Sequence, residues 1–272
     1  MQAKLELSEF TYLLHTLNAR QAVGVDNALF FPDDDVIRES LLHTGFETLK
    51  THGWLTPQDN GWHMSTRLAM LVAVIATPET VVTITRSAPT GGRQIVTYYV
   101  AQSIYVEQFR TADKQYLLTQ LETETDLVGR LQAAFQIPMA TPWTTPVSLP
   151  TAVLDKAINL TRAGNLSHVF PLLEEFGVED NQLAELLVGL RPVGDLEFAT
   201  LQGNQLVALR DMVILEGADG SKWSMDSHQE SGEVTFQPLN AEQLAARIRS
   251  GMSAMNAQPP SLLNGRNQGS HP

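Results

Sequence analysis

The sequence predicts an α+β fold built from two similar halves, each running from helices through an antiparallel set of strands to a closing helix. Three observations predict it. Blocks in which apolar residues recur with a helical period alternate with blocks of period two. A proline-rich stretch, residues 137–150, divides the chain near its middle. The order of blocks before that stretch recurs after it at a nearly constant spacing.

In the first half, Leu7, Phe10, Leu14 and Leu17 share one helical face, with Ser8 as the expected N-cap, and Gly24 ends the pattern. Asp33, Asp34 and Asp35 suit the positive end of a helix dipole, and Ile37, Leu41, Leu42, Gly45, Phe46 and Leu49 carry that second helix to His52 and Gly53. Asn60-Gly61, between segments bearing Trp54 and Trp62, predicts a tight hairpin. A third helix is expected over residues 65–76. Beyond Pro78, Val82 and Ile84 alternate with Thr83 and Thr85 as a half-buried strand. Residues 87–93 form a polar loop around Pro89 and Gly91-Gly92. Residues 95–109, rich in β-branched and aromatic side chains, form one long strand or two, and residues 116–121 another. Leu127, Val128, Leu131 and Phe135 mark the closing helix.

Pro138, Pro142, Pro146 and Pro150 exclude a helix and predict an extended linker over residues 137–150. Helices are expected at residues 151–162, 166–176 and 182–190. Strands follow around Leu196 and Phe198, over residues 206–216, at Trp223 and Met225 after an Asp219-Gly220 turn, and at Val234 and Phe236. Leu244, Ile248 and Met252 make the second closing helix. The predicted units are thus residues 1–136, the linker 137–150, residues 151–252, and a disordered tail, 253–272, with little to bury.

The register of the halves is close. Leu68, Leu71 and Ile75 match Leu183, Leu186 and Leu190 at an offset of 115, and Val82 and Ile84 match Leu196 and Phe198 at 114. Leu127, Val128, Arg130 and Leu131 match Leu244, Ala245, Arg247 and Ile248 at 117. Offsets that drift so little suggest an internal duplication and a quasi-two-fold molecule. Its strands are expected in one continuous sheet or two packed ones, with the helices on one side.

Composition narrows the function. With 18 Lys+Arg against 30 Asp+Glu the net charge is -12, which repels a phosphate backbone. The absence of cysteine excludes disulfides, thiolate metal sites and a cysteine nucleophile. Glu6 and Glu9 interrupt the opening residues, and the longest apolar run, residues 68–76, is far short of the roughly 18 residues that span a bilayer, so a cytoplasmic protein is expected. The seven histidines show no zinc spacing and read as surface or capping residues. There is no Gly-x-Ser-x-Gly elbow, and Gly91-Gly92 lacks the lysine of a phosphate loop. No catalytic group, metal or cofactor is expected, and the protein is not expected to be an enzyme. Residues 35–65 also fit part of a winged-helix module, which would make the protein a regulator with DNA as its partner. Arg38, Lys50 and Arg67 are outnumbered there by Glu39, Glu47 and the three aspartates, so a structural or protein-contact use of such a module is the expectation.

A family resemblance adds to this reading. The residues that carry it are the opening Leu5-Glu6-Leu7-Ser8-Glu9-Phe10, the acidic helix ending in Gly53-Trp54-Leu55, and the apolar helix before Pro78-Glu79 and a Thr/Val strand. The strongest part is the ending from Gly232 to Ile248, where Val234-Thr235-Phe236-Gln237-Pro238 steps into an Ala/Leu/Arg-rich helix. In this order of elements, over most of residues 5–250, the chain resembles the EspG-type chaperones of the type VII (ESX) secretion system. The resemblance implies an EspG-like fold and a cytosolic, non-enzymatic chaperone or adaptor. Its partner would be a small helical secretion substrate of the PE/PPE or WXG100 kind. No partner-contact residue carries over by motif. From the residues themselves, the loop holding Arg86, Pro89 and Arg93, which joins two apolar strands on an acidic protein, is the candidate partner-binding site; a solvated turn is the competing reading.

Overall fold

The computed structural model describes residues 1–59, 61–87, 91–203, 205–228 and 232–253. Asn60, Pro89 and the expected tail beyond Ser253 lie outside them. The first half runs β1 (Gln2–Leu5), α1 (Leu7–Thr16), α2 (Asn27–Phe30), α3 (Asp35–Thr51), the hairpin β2 (Leu55–Gln58) and β3 (Gly61–Met64), and α4 (Thr66–Ala76). The meander β4 (Thr80–Ser87), β5 (Arg93–Ala101), β6 (Ile104–Arg110) and β7 (Tyr116–Leu121) follows, and α5 (Glu124–Phe135) closes it. The second half runs β8 (Val147–Pro150), α6 (Thr151–Arg162), α7 (Leu166–Glu174) and α8 (Asn181–Gly189). It continues with the meander β9 (Arg191–Gln202), β10 (Gln205–Glu216), β11 (Lys222–His228) and β12 (Glu233–Pro238), closed by α9 (Ala241–Ser253).

Both meanders belong to one ten-stranded sheet, in the order β1-β7-β6-β5-β4-β9-β10-β11-β12-β8. The halves meet where β4 pairs antiparallel with β9, from Thr80 opposite Thr200 to Arg86 opposite Gly194. Val82 faces Phe198, and Ile84 faces Leu196. These are the residues matched at an offset of 114, with partners exchanged. The middle rung of the ladder joins Thr83 to Glu197.

Helices cover both faces of this sheet, not one as the sequence reading expects. On one face, Val81, Tyr99, Ala199 and Leu201 pack with α1 to α4, and Leu215, Trp223 and Phe236 pack with α6 to α8. On the other, Val82, Ile84, Tyr98, Leu196, Phe198 and Ile214 lie under Leu127, Leu131 and Phe135 of α5 and Leu244 and Ile248 of α9. The physical reason lies in β4, where Val81 and Val82 are neighbours and both fully buried. Adjacent apolar residues on a strand point to opposite faces, so both need a cover.

Two further details differ from expectation. The N-cap of α1 is Glu6, not Ser8, which lies buried inside the helix; the Glu6 amide donates to the Glu9 carboxylate at 2.7 Å. Glu9 is fully buried and also meets His52 Nδ1 at 2.8 Å, tying α1 to the end of α3. The extended segment expected as a linker ends in the sheet, because Val147 to Pro150 pair with β12 as β8.

That segment is anchored a second time. The Trp143 indole donates to Asp219 Oδ2 at 3.1 Å, and its ring lies 6.2 Å from that of the fully buried Trp223. Asp219 Oδ1 accepts from the Ser221 amide (2.9 Å) and hydroxyl (2.6 Å). Burial alone would push this carboxyl up, but the Ser221 and Trp143 donors together hold it below the ordinary range. A depressed folded-state pKa contributes stability above the unfolded-state value, and that contribution is lost as pH falls through the folded one. Asp219→Asn is therefore expected to lower Tm at neutral pH and to show a smaller further drop than wild type on acidification to about pH 3. Parallel acid limbs in thermal melts would contradict this.

The first helical layer rests on one close approach. A Cβ on Gly45 of α3 would run into the Ser8 carbonyl oxygen of α1 and would lie 2.9 Å from Tyr12 Cβ. Gly45→Ala is expected to destabilise by about 1–3 kcal/mol through forced separation of the helices. That outweighs the roughly 0.8–1.0 kcal/mol an alanine ordinarily adds in a helix interior. Urea denaturation measures it; unchanged or raised stability would refute the tight crossing.

Candidate functional site

Between the two helix groups the sheet is bare. The β4–β9 and β9–β10 registers put Thr83, Thr85, Asp195, Glu197, Leu209 and Asp211 on the face that carries α1 to α4 and α6 to α8. Thr85 also faces Ile95 of β5, and Val213 of β10 lies on the same face by alternation. Farther out on either side, residues of equal parity are buried beneath helices. Here Ile95 is 53% exposed and Leu209 55% exposed, so the centre of this face meets solvent. Thr83, Thr85, Arg93, Asp195, Glu197, Asp211 and Val213 line a shallow depression of about 260 Å³ over the rung joining Thr83 to Glu197.

The chemistry of this floor is acidic with apolar flanks. Asp195, Glu197 and Asp211 lie within three adjacent rungs of β9 and β10. Arg93 Nη2 stands 3.6 Å from Asp195 Oδ2, both side chains being substantially exposed. Among the described residues, no group of three or more His, Cys, Asp or Glu is placed to hold a metal ion. The arrangement suits recognition of a surface that mixes apolar and basic side chains.

The three residues singled out in the sequence separate. Arg93 starts β5 on the floor. Arg86 shares the parity of Val82 and Ile84 and reaches the other face, where its Nε donates to Gln94 Oε1 at 2.9 Å and its Nη1 to the Ala134 carbonyl in the last turn of α5. Pro89 lies outside the described residues. The sequence reading missed Ile95, Leu209, Asp195, Glu197 and Asp211. Its one usable signal was the alternation of Asp195 and Glu197 with Leu196 and Phe198, which implies one polar face.

The winged-helix element order is present as α3, β2, β3 and α4, with Arg38 and Lys50 engaged within it. Phe46 of α3 packs edge-to-face on Trp62 of β3 at 5.6 Å. Lys50 lies 4.9 Å from both rings and bonds Glu47, and Arg38 pairs with Asp35. Leu68, Leu71, Val72 and Ile75 bury α4 in the core.

The fold is similar to that of the type VII secretion system chaperone EspG5 of Mycobacterium tuberculosis, whose structure was solved in complex with a PE25-PPE41 dimer. The TM-score is 0.61 at 12% sequence identity, covering 96% of this chain and 98% of that one. At that identity the likeness is one of fold. No family model and no curated protein sequence matches the chain. Among the described residues, no helix is long and apolar enough to cross a membrane.

The two arginines should behave differently. Arg86→Ala, which frees a helix-end carbonyl and a glutamine, is expected to cost about 1–2 kcal/mol. Arg93→Ala, which removes one exposed ion pair, should stay within about 0.5 kcal/mol. Chemical denaturation of both variants checks this; equal losses would contradict their placement on opposite faces.

Proposed function

We propose that this protein is a non-enzymatic, cytoplasmic adaptor of the chaperone kind, which receives an apolar helical surface of a partner protein on the floor between its two helix groups. The observation that carries this reading is the exposure of Ile95 and Leu209 at the flanks of the floor between the two helix groups. An acidic floor with an apolar residue at either flank suits an amphipathic helix that carries Lys or Arg beside its apolar face. Covering such a helix keeps it from associating elsewhere. The shared fold supports a helical partner, since EspG5 was solved with a PE25-PPE41 dimer. A PE/PPE or WXG100-like protein is the proposed class. Arg93 is the proposed contact cation at the rim, whereas Arg86 holds the end of α5.

The regulator reading would need a basic face near the β2–β3 hairpin, and Arg38 and Lys50 there are engaged by carboxylates of their own helix. Affinity capture from native lysate with the full chain and with Ile95→Arg tests the proposal. A stoichiometric helical protein held by wild type, and lost from an Ile95→Arg variant of unchanged Tm, is expected. An empty bait, equal capture by both chains, or a salt-dependent gel shift of duplex DNA would overturn it.

A further inference from the structure

The outer edges of the sheet are protected. β1 and β8 are four residues long; Lys4 projects from β1 to meet Asp113 at 2.9 Å, and Pro150 ends β8. An edge inside the sheet is not. β10 pairs with β9 along its whole length, but with β11 only from Val213, opposite Met225, to Glu216. The next rung would join Met212 to Asp226. On the face that carries α5 and α9, Arg247 of α9 reaches the side chains of both residues. Its Nη1 lies 2.9 Å from Met212 Sδ and donates to Asp226 Oδ2 at 2.9 Å, while Nη2 donates to Gln237 of β12. Residues 206–211 have no ladder partner on that side among the described residues.

The direction of the free groups follows from the register. The Leu201 amide donates to the Glu79 carbonyl at 3.0 Å, so odd residues of β9 bond towards β4 and even ones towards β10. Ala208 and Arg210, opposite Thr200 and Phe198, therefore bond to β9. Leu209 and Asp211 turn their main-chain N–H and C=O to the open side. The side chains around them are apolar and uncovered: Leu206, Val207 and Leu209 are each more than half exposed. The stretch carries neither lysine nor proline, and its charged residues, Arg210 and Asp211, lie at one end of it.

We propose that residues 206–211 of β10 form a strand-addition site for an extended segment of a partner polypeptide. Unpaired main-chain donors and acceptors specify an extended chain, and the side chains specify its sequence. Running antiparallel, that segment places a basic residue opposite Asp211, an acidic one opposite Arg210, and apolar ones opposite Leu209, Val207 and Leu206. This goes beyond the helical-partner reading, because an edge takes an extended chain where the floor takes a helix face.

The test uses the full chain and a synthetic peptide, acetyl-Thr-Lys-Glu-Val-Thr-Val-Ile-amide, written to pair antiparallel with residues 212 to 206. Calorimetry should show saturable binding, and hydrogen exchange should slow at the Leu209 and Asp211 amides. N-methylation of the first valine, which removes the donor to the Leu209 carbonyl, should weaken binding about tenfold or more. Leu209→Pro should do the same from the protein side, since that amide is not used by β9. The methylated peptide keeps the test valid if Leu209→Pro does not fold. Absence of saturable binding up to millimolar peptide, or equal binding of the methylated peptide, would overturn the proposal. So would protection confined to Thr83 and Thr85, or concentration-dependent protection of Leu209 without peptide, which would assign the edge to a second copy. Capture of a helical partner by the floor is read separately, with the Ile95→Arg variant.

Discussion

The antiparallel pairing of β4 with β9 is the interaction on which the rest of the structure depends. Its rungs run from Thr80 opposite Thr200 to Arg86 opposite Gly194. They bring Val82 and Ile84 against Phe198 and Leu196 on one face and Val81 against Ala199 on the other, all buried. At one end the backbones come so close that a Cβ on Gly194 would strike the Thr85 carbonyl oxygen. Without this ladder each meander would end on an apolar strand with an open edge, a template for aggregation. With it, the strands of both halves share one set of hydrogen bonds, and the halves cannot be independent domains although each has its own helices.

The bare floor is a consequence of the same topology. In each half the first helices lie in sequence between an edge strand and the central strand: β1 to β4 by way of α1 to α4, and β8 to β9 by way of α6 to α8. The first group covers one end of the central strands, at Val81, Ala199 and Leu201, and neither group reaches Thr83, Thr85, Asp195 or Glu197. The closing helices follow β7 and β12, pass to the opposite face, and return to the centre. There α5 and α9 pack against one another and are joined by Arg249 and Glu124 at 2.9 Å. One face is sealed over the β4–β9 pair and the other is open at Thr83, Thr85, Asp195 and Glu197. The exposed Ile95 and Leu209 belong to that asymmetry and not to a defect of packing.

Much of this was legible in the residues. Helical period placed α1, α3, α4, α5 and α9, and the strands around Val82 and Leu196, matched at an offset of 114, are the two that pair at the centre of the sheet. The two strands that escaped notice are the edge strands, β1 and β8. Each offers only two inward side chains, Ala3 with Leu5 and Val147 with Leu149, too few to establish a period of two. The second covered face was written in Val81-Val82, but the threonines beyond them favoured a half-buried reading. Arg86 and Arg93 are close in sequence and on opposite faces. Their parity becomes readable only when Ser87 is known to pair with Arg93. The floor itself depends on where two helix groups part, which no local pattern encodes.

Native-state hydrogen exchange across a denaturant series tests the central pairing most directly. If β4 and β9 hold the halves in one cooperative unit, amides of both strands exchange only through global opening. Those of β5 and β10 should then converge on the same free energy as denaturant rises. If β9 to β12 lose protection together while β4 to β7 keep theirs, or the reverse, the halves open separately. The β4–β9 ladder would then not be the interaction on which the fold depends.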